Sequence, residues 1–199
     1  DFSPDGKYAL SGSGDKSLKL WEISKTREIK TLREHSMSVE NVVFMPNGKQ
    51  ALSLGWDGLV LWNLSSGQVI RKFNAKKKFD NLGRPMGIAL SKNGNHAYSA
   101  GRGFGIELWN TLTGSKVTTI EGSYNQLRAI SINPDGKHVV AGYWDNTLNF
   151  WDISTGQLTR TLKKQDGIMP SISTSPDGKY LLSGDLRHKT IKLWEISTG

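Results

Sequence analysis

The chain has 199 residues, and hydrophobic side chains make up 36% of them, which is typical of a globular protein. It contains no cysteine, which excludes disulfides and thiolate metal sites, and we expect a reducing compartment such as the cytoplasm. The longest apolar stretches are about one strand long, whereas a membrane-spanning helix needs roughly 20 residues, so no membrane span is predicted. The formal charge of +8 is compatible with solubility or with acidic partners.

A dipeptide of Asp or Asn followed by Gly recurs at spacings of 42, 46, 42 and 42 residues, so one structural unit is repeated five times. Proline precedes the pair in four units, and Lys92 takes its place in the third. A fixed φ at proline followed by a glycine that tolerates positive φ predicts a tight hairpin turn. The five pairs are Asp5-Gly6, Asn47-Gly48, Asn93-Gly94, Asp135-Gly136 and Asp177-Gly178.

Each turn is followed by a short predicted strand, a second turn, and a strand that ends in tryptophan. In the first unit, Leu18, Leu20 and Trp21 place apolar side chains on both faces of this strand, which predicts a sheet packed between two others. The short strands are predicted at residues 8–11, 51–54, 96–100, 138–142 and 180–184, and the tryptophans are Trp21, Trp62, Trp109, Trp151 and Trp194. A further strand is predicted after four of the tryptophans, at residues 28–32, 68–73, 115–120 and 157–162.

The spacing, the turn pair and the terminal tryptophan resemble the WD-repeat (WD40) family over essentially the whole chain. The resemblance implies an all-β β-propeller with four antiparallel strands in each blade, and a protein that assembles other molecules. We expect one repeat domain over residues 1–199, with approximate units 1–33, 34–74, 75–121, 122–163 and 164–199. Both end units lack strands, and the chain begins without an initiator Met. We therefore expect an open arc of five blades from a larger ring, which is commonly seven-bladed in the family.

Blades of this family often contain a hydrogen-bonded chain of His, Ser or Thr, Asp and Trp. The second unit resembles this pattern fully, and we interpret its four residues as structural, because buried polar groups stabilise when every member is paired. These four are His35, Ser53, Asp57 and Trp62. The other units are incomplete: the fourth has Ala141 at the serine position, and in the fifth either Asp185 or His188 could take the turn position.

No Walker loop, HExxH, GxSxG or EF-hand motif is present, so we predict no enzyme, no cofactor and no metal. His96 and His138 occupy the place of Tyr8 and Tyr180 in other units, so they are expected in separate blades and not at one metal site. Paired acids at the central channel, as in propeller hydrolases, are a lesser alternative.

Family geometry implies that one rim of the arc binds partners. On this rim we expect residues that often carry binding energy, and we predict a site for a protein or peptide. The residues expected there are Trp56, Arg102 and Trp144, with Tyr143 and Phe104 close by and Glu40, Met86 and Arg128 at the channel mouth. An alternative is that the two tryptophans fold back over the blade edges.

The basic excess falls largely on the same rim, which favours an acidic protein or peptide partner. Solvated loops are the simpler interpretation of the lysine runs, and nucleic-acid binding is disfavoured because no series of aromatic side chains accompanies them. A regulatory or sensor module of a larger signalling NTPase or kinase is the main alternative function. The basic residues are Lys76, Lys77, Lys78, Arg84, Lys163, Lys164, Arg187 and Lys189.

Overall fold

The computed structural model describes residues 1–73, 85–101, 105–120, 127–145, 147–162 and 171–198. Within these ranges the regular structure is 18 β-strands in five antiparallel sheets, without a helix, which confirms the predicted all-β class. The first sheet contains β1 (Tyr8–Gly12), β2 (Ser17–Glu22) and β3 (Arg27–Arg33). The second contains β4 (Val39–Phe44), β5 (Gln50–Gly55), β6 (Gly58–Asn63) and β7 (Val69–Phe73).

The remaining strands form three further sheets, and every strand pairs with its neighbour in chain order. The third sheet contains β8 (Pro85–Leu90), β9 (His96–Gly101), β10 (Gly105–Asn110) and β11 (Lys116–Ile120). The fourth contains β12 (Leu127–Ile132), β13 (His138–Tyr143), β14 (Leu148–Asp152) and β15 (Leu158–Leu162). The fifth contains β16 (Ile172–Thr174), β17 (Tyr180–Asp185) and β18 (Thr190–Glu195).

The repeated turn pairs form the predicted tight turns. All five of their glycines have φ between 64° and 73°, a region that glycine enters without strain. In the second sheet the Gly48 amide donates to the Met45 carbonyl at 2.9 Å, and the Asn47 side chain accepts from the Lys49 amide at the same distance. The Asp or Asn therefore closes the turn with its side chain while the glycine reverses the backbone.

Hydrophobic clusters fill the four junctions between consecutive sheets. On β6, Val60 and Trp62 pack against the first sheet, whereas Leu59 and Leu61 pack against the third. Side chains alternate between the two faces of a strand, so a sheet that lies between two others needs apolar residues at successive positions. The second, third and fourth sheets are packed on both faces in this way. The first sheet, whose Leu18, Leu20 and Trp21 carried the prediction, has a neighbour on one face among the described residues.

The two end sheets have a neighbour on one face in the described part of the chain. Contacts between sheets run mainly through the inner strands, from β1 to β4, β8, β12 and β16. On the far face of the fifth sheet, Ile191 and Leu193 expose 75% and 66% of their surface. The described residues thus form an open arc of five sheets. They include no helix long and apolar enough to cross a membrane.

Candidate partner-binding rim

One end of the arc, which we call the upper rim, carries the loops between sheets and the turns that lead into the tryptophan strands β2, β6, β10, β14 and β18. The lower rim, at the opposite end, carries the Asp/Asn-Gly turns and the turns that follow the tryptophan strands. Trp56 and Trp144 lie in the upper-rim turns of the second and fourth sheets. They are therefore on the same rim, two sheets apart.

The inner strands of the second, third and fourth sheets each contain a β-bulge next to the upper rim. The bulged residues are Glu40, Met86 and Arg128. Each is the extra residue of its strand at a shift in the register with the neighbouring strand. A bulge bends its strand and redirects a side chain. The three positions that sequence analysis assigned to the channel mouth are thus half-buried bulge residues.

The bulged residues of the second and fourth sheets contact the turn tryptophan of their own sheet. Trp56 Nε1 donates a hydrogen bond to Glu40 Oε1 at 2.7 Å. The guanidinium carbon of Arg128 lies 3.6 Å from the ring centroid of Trp144, which is a stacked cation–π contact. Trp144 exposes 45% of its surface, and Trp56 is half-buried. A charged neighbour therefore orients each indole while part of the ring faces solvent.

His35, Ser53, Asp57 and Trp62 form a continuous hydrogen-bonded chain in the second sheet. His35 Nδ1 lies 2.5 Å from Asp57 Oδ1, and His35 Nε2 lies 2.6 Å from Ser53 Oγ. Trp62 Nε1 donates to the same hydroxyl at 2.8 Å. Because an ionised carboxylate only accepts hydrogen bonds, His35 Nδ1 is the donor to Asp57. These hydrogen bonds connect a strand in the core to the upper rim.

Asp57 also holds the loop that enters the second sheet. The Ser36 amide donates to Asp57 Oδ2 at 2.5 Å. Partial burial alone would raise the pKa of Asp57, but the hydrogen bonds from His35 and Ser36 outweigh it and lower the pKa below its ordinary value. The Trp56 amide donates to the Ser38 carbonyl at 3.1 Å, so the same loop is fixed to the tryptophan turn.

The other sheets keep parts of this hydrogen-bonded chain of side chains. A tryptophan indole donates to a serine hydroxyl in the first, third and fifth sheets, at 3.0, 2.9 and 3.0 Å, through the pairs Trp21–Ser11, Trp109–Ser99 and Trp194–Ser183. Ala141 removes this acceptor in the fourth sheet. In the fifth sheet Asp185 takes the turn position, because its carboxylate accepts from the amides of Arg187 and His188.

Tyr143 is not a rim residue. It is 2% exposed and packs in the cluster between the third and fourth sheets with Val139 and Ala141. Residues 139, 141 and 143 share one face of β13, so the strand alternation that buries the first two also buries the tyrosine. Burial raises the pKa of Tyr143 to about 12. The expectation that Tyr143 lies beside a bound partner is therefore wrong.

Several residues expected on the rim lie outside the described residues, namely Arg102, Phe104, Lys76, Lys77, Lys78, Arg84, Lys163 and Lys164. Arg187 and Lys189 are described, and they lie exposed in the upper-rim turn between β17 and β18. The candidate site is therefore built from Glu40, Trp56, Met86, Arg128 and Trp144.

Met37 is an exposed apolar residue of the upper rim that sequence analysis missed. It exposes 47% of its surface in the loop between the first and second sheets. Its position two residues after His35 was a usable signal, since a complete hydrogen-bonded chain anchors His35 and brings the following residues to the rim. Met37 lies beside Ser38, whose carbonyl binds the Trp56 turn.

The two histidines considered as metal ligands lie in different sheets. His96 begins β9, and His138 begins β13, where its Nδ1 lies 2.7 Å from Asp135 Oδ2 on the lower rim. Among the residues that the structure describes, no group of three or more His, Asp or Glu side chains is close enough to hold a metal ion. Both histidines therefore have positions that the repeat explains.

Comparison with known proteins identifies the repeat. The family model described as "WD domain, G-beta repeat" matches residues 1–22, 26–63, 114–152 and 156–195, which together are more than half of the chain. The chain belongs to the WD-repeat family. The third sheet lies largely between two matched segments. Its sequence has Lys92 where the other four units have proline, yet it folds into the same four-stranded unit.

Several WD-repeat relatives match parts of the chain. The WD repeat domain-containing protein 83 homolog of Dictyostelium discoideum is 42% identical over 72 residues, which are 36% of this chain and 22% of that protein. DDB1- and CUL4-associated factor 13 of the same organism is 24% identical over 131 residues, or 62% of this chain and 28% of that protein. Human Pre-mRNA-processing factor 17 is 37% identical over 78 residues, or 38% of this chain and 14% of that protein.

The chain spans less than a third of the length of these relatives. WD-repeat proteins generally act as non-catalytic scaffolds that bind other proteins, and the names of these relatives do not denote enzymes. Membership of the family therefore supports protein interaction as the general role of this chain.

Proposed function

We propose that this chain is a non-catalytic platform that binds an extended peptide or loop of a partner protein on its upper rim. The observation that carries the proposal is the pair of oriented indoles. Trp56 is hydrogen-bonded to Glu40, and Trp144 is stacked on Arg128, yet both rings keep exposed surface. Tryptophan and arginine are the residues that most often dominate binding energy at protein interfaces.

Orientation of the rings before binding favours affinity. A side chain that is already fixed loses little conformational freedom when a partner arrives, and ordering a flexible side chain costs about 0.5–1.5 kcal/mol. The hydrogen bonds of the Trp56 turn and the stacking of Trp144 supply this order in the free chain. Met37 adds exposed apolar surface in the loop whose Ser38 carbonyl accepts from the Trp56 amide.

A binding experiment with rim variants tests the proposal. A pull-down from the source cells with the double variant Trp56→Ala and Trp144→Ala should recover at least tenfold less partner than the unchanged chain. Leu112→Ala is the matched control, because Leu112 is a 69% exposed apolar residue on the lower rim, in the turn after β10. Unchanged recovery by the folded double variant, together with loss in Leu112→Ala, would move the binding face to the lower rim and refute the proposal.

A further inference from the structure

The outermost strand of a sheet reaches the following sheet through a basic side chain at three of the four junctions. These side chains occupy one repeat position, which pairs with the residue before the tryptophan, and they are Lys30, Arg71 and Arg160. Each donates to backbone carbonyls of the lower-rim turn in the following sheet. Arg71 Nη1, for example, donates to the Thr113 carbonyl at 2.9 Å. A cation on an alkyl stem is therefore a regular part of the junctions.

The junction between the third and fourth sheets lacks this side chain. Thr118 takes the position, pairs with Leu108 and is exposed, whereas the three basic residues are half-buried. A cleft of about 450 Å³ lies there, and the residues that line it are uncharged. The third sheet lines it with Leu108, Val117 and Thr118, and the fourth sheet lines it with residues 153–156. The short threonine thus leaves open a space that a longer side chain crosses elsewhere.

The glycine of each lower-rim turn shows whether that space is filled. A Cβ at Gly114 would lie 2.5 Å from Arg71 Cδ, so the arginine stem lies directly against this turn. Gly156 is the equivalent glycine of the fourth sheet, and the nearest atom to a Cβ there would be Ile120 Cγ1, at 4.0 Å. The turn of the fourth sheet therefore has the same glycine but no stem packed against it.

The turn of the fourth sheet keeps the acceptors that a basic side chain uses. At the next junction, Arg160 Nη1 donates to the carbonyls of Ile196 and Ser197. The residues at these two turn positions in the fourth sheet are Ile153 and Ser154. Among the residues that the structure describes, no donor is bound to either of their carbonyls. Both oxygens are therefore available to a donor from outside.

The surroundings of these carbonyls also favour a cation on an alkyl stem. Hydrogen bonds from Ser154, and then from Thr155, lower the pKa of Asp152 in the same turn to about 2, so its carboxylate is negative at neutral pH. Leu108 and Ile153 provide apolar surface in the cleft. Lysine and arginine side chains pack their stems on such surface while the charged end reaches polar groups.

We propose that this cleft receives a lysine or arginine side chain of a partner protein. The side chain enters in the place of the missing basic residue: its stem packs on Leu108, and its charged end donates to the carbonyls of Ile153 and Ser154. The other three junctions identify the occupant, because each holds the same pairing within the chain itself. The cleft lies on the lower rim and does not depend on the function proposed for the upper rim.

Two blocked tripeptides test the proposal, glycine–arginine–glycine and the same peptide with citrulline, which keeps the shape of arginine without its charge. In a titration followed by ¹H–¹⁵N NMR, the arginine peptide should shift the amide signals of Ser154, Thr155 and Gly156 to saturation. The citrulline peptide should bind at least about tenfold more weakly, because hydrogen bonds from a charged donor are the stronger ones. Equal affinity for the two peptides, or no saturable shift at this turn, would overturn the proposal.

Variants of the repeat position supply the matched controls. Thr118→Arg provides the missing side chain from the chain itself, so it should raise the thermal midpoint by about 2–4 °C and weaken peptide binding at least about tenfold. Thr118→Ser should bind as the unchanged chain does. Arg71→Thr opens the equivalent position at the preceding junction and should add a second site, seen at the amides of Thr113 and Gly114. Unchanged peptide binding by folded Thr118→Arg would place the peptide elsewhere and refute the assignment.

Discussion

Replacing one leucine at the same repeat position in two different sheets measures how much the packing between sheets stabilises the arc. Leu61 on β6 and Leu193 on β18 have equivalent partners in the ladder, Leu52 and Leu182. Leu61 is 5% exposed because the third sheet covers it, with Trp109 in the same cluster, whereas Leu193 is 66% exposed. The two sites thus differ mainly in whether a neighbouring sheet covers them.

Leu61→Ala should lower the free energy of unfolding by about 3–5 kcal/mol, since a buried Leu→Ala change removes apolar contacts and leaves a cavity. Leu193→Ala should lower it by less than about 1 kcal/mol, because most of that side chain is already in contact with water. Urea denaturation followed by tryptophan fluorescence measures both values, and amide hydrogen exchange in β5 and β10 shows whether the loss is local. Equal losses in the two variants would refute the view that contacts between sheets dominate stability.

Three further predictions concern the hydrogen-bonded chain and the turns. Ala141→Ser should raise the free energy of unfolding by about 0.5–1.5 kcal/mol, because it returns the hydroxyl that accepts from tryptophan in the other four sheets. Urea denaturation measures the gain. No gain would show that β13 does not place a serine as β5 and β9 do. The lowered pKa of Asp57 contributes stability above its ordinary value of 3.8, and this contribution should be lost as the pH falls through the lower folded value. The difference in unfolding free energy between the unchanged chain and Asp57→Asn should therefore shrink below about pH 4, and a difference independent of pH would contradict the assignment. Gly94→Ala should destabilise the chain by about 1 kcal/mol more than Gly136→Ala. Both glycines have positive φ, but a Cβ at Gly94 would lie 2.9 Å from Pro46 Cδ, whereas a Cβ at Gly136 would have no neighbour within 4 Å. Equal thermal shifts in the two glycine variants would show that the neighbouring proline moves aside.

Most of the fold could be predicted from the sequence because the same local pattern is repeated five times. The Asp/Asn-Gly pair specifies the turn through backbone chemistry alone, so the positive φ of Gly48 needed no tertiary information. The apolar residues at successive positions of β6 likewise required cover on both faces. Alternation along β13 was also available in the sequence, and counting from Val139 would have placed Tyr143 in the core.

The contacts of the rim could be predicted in part. Glu40 and Trp56 are 16 residues apart, and so are Arg128 and Trp144, so the repeat itself indicates that these positions pair. The sequence did not indicate the bulges at Glu40 and Arg128, because a bulge depends on the register between two paired strands. The spacing of 16 residues alone does not show that the side chains touch. The hydrogen bond at Trp56 and the stacking at Trp144 could therefore not be predicted without the bulge.

The polar chain of the second sheet links the stability of the core to the shape of the rim. Trp62 is buried between two sheets, and its hydrogen bonds pass through Ser53 and His35 to Asp57 on the upper rim. Asp57 fixes the Ser36 amide, and the same loop accepts from the Trp56 amide two residues later. Because these hydrogen bonds are continuous from Trp62 to the loop, the core determines where the Trp56 turn lies. A repeat that retains all four polar residues therefore fixes the turn that carries Trp56, which we propose as a binding residue, before any partner arrives. In the fourth sheet, with Ala141, stacking on Arg128 is the contact that orients Trp144.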